Sequence, residues 1–181
     1  MPRIAHWLIL SFLLFSYAAN ADSDETYSCL EAAAHREFDF WVGRWQVTDQ
    51  SGDKVFGHNT ITIEEAGCLL REQWQSISGG SGSSINYFHP ADGKWHQLWI
   101  DAGSSIIDIQ GEMDDGSMVL SGSIFYLKDQ RRADFRGTWT PLADGTVRQF
   151  FEERDSEGNW QTWFDGYYRP LPEADTETDS P

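Results

Sequence analysis

From residue 41 onward, hydrophobic and polar positions alternate with a period of two, and they hold that period almost to the end of the chain. Successive side chains of a strand point to opposite faces, so this alternation predicts half-buried β-strands. Ten segments carry it: 44–49, 58–65, 69–78, 83–89, 94–101, 106–112, 117–126, 133–141, 146–155 and 160–169. They are rich in β-branched and aromatic residues, as in Thr60-Ile61-Thr62-Ile63 and Phe164-Asp165-Gly166-Tyr167-Tyr168, the types that suit a pleated surface. Between them, Ser51-Gly52-Asp53, Ala91-Asp92-Gly93, Asp114-Asp115-Gly116, Ala143-Asp144-Gly145 and Ser156-Glu157-Gly158 supply tight-turn chemistry. No connecting segment is long enough for a helical crossover, so the strands form an antiparallel meander. About ten strands in an open sheet would leave exposed edges, and closure into a barrel removes them. The expectation is therefore an all-β fold, an antiparallel up-and-down closed barrel, with a β-sandwich as the alternative.

The pattern ahead of the strands is different. Residues 29–40 have helical composition, with Leu30, Ala33 and Ala34 on one face and Phe38 just beyond, which predicts one short helix capping the barrel. Further upstream, Arg3 precedes an apolar run over 7–19 broken only by Ser11 and Ser16, and Ala19-Asn20-Ala21 fits a small-x-small cleavage site. That is the layout of a signal peptide, and the run is short of the roughly 20 residues that span a bilayer. Thr26-Tyr27-Ser28 before Cys29 lacks the aliphatic residue of a lipobox. The expected organisation is a signal peptide over 1–21, an N-terminal segment with the short helix over 22–40, the barrel over 41–169 and a disordered acidic tail over 170–181. It implies a periplasmic or secreted protein with no stable membrane anchor after cleavage.

Charge and cysteine content narrow the function classes. The chain carries 13 basic and 29 acidic residues, a formal net charge of -16. Nucleic acids and anionic membranes need basic patches, so neither is an expected partner. Cys29 and Cys68 are the only cysteines and both follow the leader. In an oxidising compartment a disulfide is favoured, closing a loop of about 40 residues for roughly 3 to 4 kcal/mol on the chain-entropy model. Two unpaired buried thiols are the alternative.

The candidate chemistry lies in the polar company of the tryptophans. There are nine, all but Trp7 beyond the leader, and core packing accounts for most of them. At strand parity, however, Glu72 shares a face with Trp74, and Gln97 with Trp95, Trp99 and Asp101. Asn86 likewise shares one with Ser84 and Phe88, and Gln149 with Phe151 and Glu153. If the tryptophan faces point inward, a row of amides and a carboxylate goes with them, and each must find a hydrogen-bond partner. Parity leaves two readings open: a pocket in which a ligand supplies partners, or a network that satisfies itself. In the first, Trp74, Trp99 and Trp139 would stack on a small, partly apolar or aromatic ligand, while Glu72, Asn86, Gln97 and Gln149 would orient it. The alternative is a cofactor-independent enzyme of isomerase, cyclase or hydratase type with Glu72 as acid/base, ahead of Asp101 and Asp165. No Gly-x-Ser-x-Gly occurs, Gly79-Gly80-Ser81-Gly82 lacks the Lys-Ser/Thr of a phosphate loop, and no two histidines have ligand spacing. Neither a metal nor a cofactor is expected.

Gly43-Arg44-Trp45 opens the first strand, where lipocalins carry a Gly-x-Trp whose indole closes the barrel floor. A longer series resembles the DUF1579 group of bacterial proteins. It comprises Phe38-Asp39-Phe40-Trp41-Val42-Gly43-Arg44-Trp45, Gly67-Cys68-Leu69-Leu70-Arg71-Glu72-Gln73-Trp74, Gly93-Lys94-Trp95-His96-Gln97-Leu98-Trp99-Ile100-Asp101, Val147-Arg148-Gln149 and Phe164-Asp165-Gly166-Tyr167-Tyr168-Arg169. The resemblance implies an exported, lipocalin-like barrel, and the family brings no established reaction. It also implies an arginine from a late strand stacked on Trp45, a role for which Arg169 is the first choice and Arg148 the second. The Gly-x-Trp-x-Gly-x-Gly signature of nitrobindin-like haem barrels is missing, because Gln46 and Val47 continue the strand.

Overall fold

A computed structural model describes residues 27–172, so the expected signal peptide and the tail beyond 172 lie outside the described residues. All ten expected strands are present: β1 (Gly43–Thr48), β2 (Val55–Glu64), β3 (Leu69–Ser76), β4 (Ser81–His89), β5 (Lys94–Asp101), β6 (Ser105–Asp114), β7 (Ser117–Tyr126), β8 (Arg131–Pro141), β9 (Val147–Arg154) and β10 (Trp160–Pro170). Each pairs antiparallel with its sequence neighbours, and β1 pairs with β10, from Trp45 opposite Pro170 to Thr48 opposite Tyr167. The sheet is thus a closed up-and-down barrel of lipocalin-like form, and a sandwich is excluded. The glycines at the tips of five hairpins (Gly52, Gly93, Gly116, Gly145, Gly158) all have positive φ, the conformation those turns require.

The helical segment is shorter and differently faced than its composition suggests. It consists of two 3₁₀ turns, Ala33–Arg36 and Asp39–Trp41. Three residues per turn align His35, Phe38 and Trp41 on one side, and these three are buried while Leu30 is 56% exposed. Barrel packing decides the face. Phe38 stacks on Trp41 with centroids 5.0 Å apart and meets Trp95 and Trp139 edge-on at 5.6 and 5.2 Å. Together with Leu70 and Met118 these rings are completely or almost completely buried, each contributing roughly 2–3 kcal/mol of burial. They form a floor that plugs one end of the barrel. A Cys29–Cys68 disulfide, Cα atoms 5.1 Å apart, fastens the plug to the start of β3.

Trp45 sits at the edge of this floor, and its indole N–H donates to the Trp41 carbonyl at 3.0 Å. Gly43 lies directly under that ring with φ +145°, where a Cβ would be 3.4 Å from the indole. The position combines unusual backbone with close approach, which explains the glycine in Gly-x-Trp. The expected arginine is not on the other side. Arg169 pairs across β1 with Gln46, one residue out of phase with Trp45, and therefore projects outward. There its Nε donates to Thr48 Oγ1 at 3.2 Å and its Nη2 to the Gln50 carbonyl at 3.0 Å. Arg148 also faces out, over Phe150 and in a two-pronged pair with Asp165. Tyr168, inward by parity, takes the place against Trp45, edge-on at 6.2 Å.

Among the described residues no helix is long and apolar enough to cross a membrane.

Candidate functional site

The inward faces are the tryptophan faces, so the barrel interior has three levels. Above the aromatic floor runs a belt of polar side chains from seven positions: Asn59, Glu72, Ser84, Asn86, Gln97, Gln149 and Tyr168, all buried. Above the belt, aromatic walls enclose a cavity of about 140 Å³ lined by Glu72, Trp74, Trp99, Ile107, Gln149, Phe151, Trp163, Phe164 and Tyr168.

The belt is a directed hydrogen-bond chain converging on one carboxylate. Gln97 Nε2 donates to Asn86 Oδ1 at 2.7 Å, Asn86 Nδ2 to Ser84 Oγ at 2.8 Å, and Ser84 Oγ to Glu72 Oε2 at 2.6 Å. From the other side, Asn59 Nδ2 donates to Glu72 Oε1 at 2.6 Å and contacts the Tyr168 hydroxyl at 3.1 Å, and that hydroxyl donates to Gln149 Oε1. The pairs follow from register: Ile61 and Ser84 flank Glu72 on β2 and β4, and Asn86 faces Gln97 across β4 and β5. Burial holds the Glu72 carboxyl up at about 7, against the opposing pull of the Ser84 and Asn59 hydrogen bonds. Burial and the nearby Glu72 charge likewise raise the Tyr168 hydroxyl well above its usual range. Removing a carboxylate from water disfavours its charged form, and among the described residues this belt offers neutral donors and no cationic side chain.

The walls are built on glycines. The Trp74 indole lies over Gly57, Trp99 over Gly82, Phe151 over Gly137 and Phe164 over Gly166, each so close that a Cβ on the glycine would overlap the ring. Missing side chains on the inner face let the rings lie back against the wall, which leaves the space between them open. Phe164 and its predecessor both reach this space because of an irregularity in β10. Thr162 faces Glu152 and Phe164 faces Phe151, so Trp163 is an extra residue in the ladder. Such a bulge re-aims a side chain. Trp163 packs edge-on to Phe135 at 5.4 Å, remains 41% exposed, and donates its indole N–H to the Tyr126 hydroxyl at 3.0 Å. That hydroxyl in turn donates to Glu153, which pairs with Arg131 at 2.6 Å. Trp163 therefore forms the rim of the cavity.

Of the residues singled out from the sequence, Glu72, Trp74, Trp99 and Gln149 line the cavity. Asn86 and Gln97 lie farther along the belt, two and three hydrogen bonds from Glu72, which they support through Ser84. Trp139 does not line it. It is fully buried in the floor against Trp41 and Phe38, with Phe151 between it and the cavity. Asp101 is tied to Ser104 and Ser105 at the turn into β6, and Asp165 is held on the outer surface by Arg148. The sequence reading missed Tyr168, Asn59 and Phe164, although parity was available: Phe164, Gly166 and Tyr168 share one face of β10. It also missed Trp163, whose exposure to the cavity depends on the bulge and has no periodic signature. His89 and His96, seven residues apart, meet on the outer side of the β4–β5 hairpin around Asp92, with rings 5.6 Å apart. Among the described residues no three His, Cys, Asp or Glu side chains gather as a metal site.

Comparison of the chain with models of known protein families and with curated proteins finds no match to either.

Proposed function

We propose that this protein is an exported binding module that holds a small, partly apolar or aromatic ligand in the barrel interior. The observation that carries the reading is the juxtaposition of an aromatic-walled cavity with a buried, hydrogen-bonded carboxylate on its polar side. This is the composition of a small-molecule site: mostly apolar surface with a few placed polar groups. The volume of about 140 Å³ sets the size. Apolar cavities of about 150 Å³ admit a benzene-sized guest, so a single ring with a short polar substituent fits. Trp74, Trp99, Phe151 and Phe164 supply stacking faces, and Glu72 and Gln149 present polar atoms from the belt. Export and membership of the DUF1579 group belong to the same proposal. They are supported by the leader-like N-terminus, the motif series and the Cys29–Cys68 disulfide, since disulfides persist outside the reducing cytoplasm.

Calorimetric titration of the mature protein with single-ring compounds of varied substituents tests the reading. Trp99→Ala is expected to weaken binding by at least about tenfold, with a smaller fractional loss of folding stability. No binding by any single-ring compound, or equal losses from Trp99→Ala, would return these rings to the role of core.

One observation favours a second reading. A carboxyl held at about 7 facing a cavity is suited to exchange a proton with a bound substrate, as an isomerase, cyclase or hydratase requires. Glu72→Gln distinguishes the two: lost turnover with retained binding assigns catalysis to Glu72.

A further inference from the structure

We infer that the ligand is a small organic cation, a protonated amine on or beside a single ring, whose charge is received by Glu72 and the surrounding aromatic faces. The inference rests on the ligand-binding reading of the cavity and names the chemical class of its occupant.

Three features of the site point the same way. First, among the described residues Glu72 is the one acid that lines the cavity, and no Lys, Arg or His lines it. Second, the belt has more acceptors than donors on the side of Glu72. Each Glu72 oxygen accepts a single hydrogen bond, although a carboxylate has about four acceptor positions. Beside it, Asn59 Oδ1 is a buried acceptor without a donor among the described residues. An ammonium group in the cavity brings three donors and a full positive charge to the Glu72 carboxylate, which lines it. Third, the walls above are the rings of Trp74, Trp99, Phe151 and Phe164. The negative face of an aromatic ring attracts a desolvated cation within about 6 Å. The overall charge of -16 adds a field that draws cations in and keeps anions out. A neutral ring would use the walls but leave the open acceptor positions of Glu72 unmatched, and a carboxylate ligand would meet Glu72 as a like charge.

The site also predicts proton exchange on binding. A proton is the smallest partner that can neutralise Glu72, and an organic cation displaces it. Tyr168 is the other titratable group facing Glu72, and it stays protonated throughout. From β2 and β4 the facing groups are Asn59 and Ser84, which do not titrate.

The test compares benzylamine, benzyl alcohol and benzoate by titration calorimetry on the full mature protein, since the three match in ring and size but differ in charge. At pH 7.5 benzylamine is expected to bind at least about tenfold tighter than benzyl alcohol, with benzoate weakest. Between pH 6 and pH 8 benzylamine affinity should rise by about tenfold as Glu72 ionises, while benzyl alcohol affinity stays level. In Glu72→Gln the ratio of benzylamine to benzyl alcohol affinity should fall toward one and the pH dependence should vanish. Benzyl alcohol binding as tightly as benzylamine, or benzoate binding best, overturns the cation assignment and leaves the ring-binding reading intact. Failure of all three to bind removes both. The comparison of ligands and the pH profile need no variant, so a poorly folding Glu72→Gln would not rescue the inference.

Discussion

The indole of Trp99 lies against Gly82 on the neighbouring strand, occupying the volume that a Cβ at position 82 would need. Gly82 is two residues along β4 from the partner of Trp99, which is Ser84, so the contact is a diagonal across the inner face. The cavity exists because the ring can lie back there. Gly82→Ala would push the indole toward the cavity or force the strands apart. Over-packing of this kind costs about 1–3 kcal/mol, and that loss is expected in denaturant unfolding together with weaker ligand binding. The decisive measurement is the double variant: Trp99→Ala should recover most of the Gly82→Ala penalty. Additive losses would mean that the two residues are energetically independent.

Glu72 should give the protein a distinctive pH dependence. Its carboxyl has a folded-state value of about 7 against an ordinary 4.5, because burial disfavours the charge. Folding then binds a proton, so the stabilising contribution is complete below about pH 4.5 and is lost as pH rises through 7. Each pH unit of such a shift is worth about 1.4 kcal/mol, giving roughly 3 kcal/mol across the window. Gln reproduces the neutral acid in shape and hydrogen-bonding type. Glu72→Gln should therefore match the wild type near pH 4.5 and exceed its unfolding free energy at pH 8. A wild-type/variant difference that does not change with pH would show that Glu72 ionises freely in the folded protein.

Period-two alternation made the barrel legible, because each strand buries one face and the turns between them are marked by glycine and aspartate. The same parity placed Glu72, Asn86, Gln97 and Gln149 with the tryptophans, and the structure turns that face inward. Besides the bulge at Trp163, three things were not legible. Trp139 and Trp99 have the same parity and composition. Trp139 lies near the plugged end and Trp99 near the other, a difference set by depth along the barrel axis. Arg169 was expected against Trp45, but pairing with Gln46 turns it outward. The helical face was misread because a 3.6-residue period was assumed where Phe38 and Trp41 follow a period of three.

Trp163 should control access more than stability. It reaches the cavity rim through the bulge in β10, is 41% exposed, and is held by one indole hydrogen bond to Tyr126. Tyr126→Phe removes that acceptor and also frees Glu153 from its hydroxyl partner. Trp163→Ala is expected to cost no more than about 1 kcal/mol in unfolding free energy, as for partly exposed positions. In stopped-flow fluorescence, ligand dissociation should accelerate several-fold in Trp163→Ala and, to a smaller degree, in Tyr126→Phe. Unchanged dissociation rates in both would place the route into the barrel elsewhere.

The Cys29–Cys68 disulfide ties the plug to β3, and its loss should be felt as a change in the unfolded chain and at the floor alike. The bond joins residues 39 apart, for which loop-closure entropy gives about 3–4 kcal/mol. Nearby, Arg36 Nη2 donates to the Gly67 carbonyl at 2.5 Å, and Leu30 packs against Gly67, so the plug has local anchors besides the covalent one. Phe38 and Trp41 are inserted among Trp95 and Trp139 whether or not the sulfurs are joined. The Cys29→Ser/Cys68→Ser protein is therefore expected to fold with its floor in place but to unfold at a lower denaturant midpoint, by an amount matching the entropy figure. Hydrogen exchange separates the two contributions. Faster exchange confined to residues near 29–36 would mean that the disulfide fastens only the end of the plug. Faster exchange spreading to Trp41 and β1 would mean that the bond holds the whole floor in the barrel.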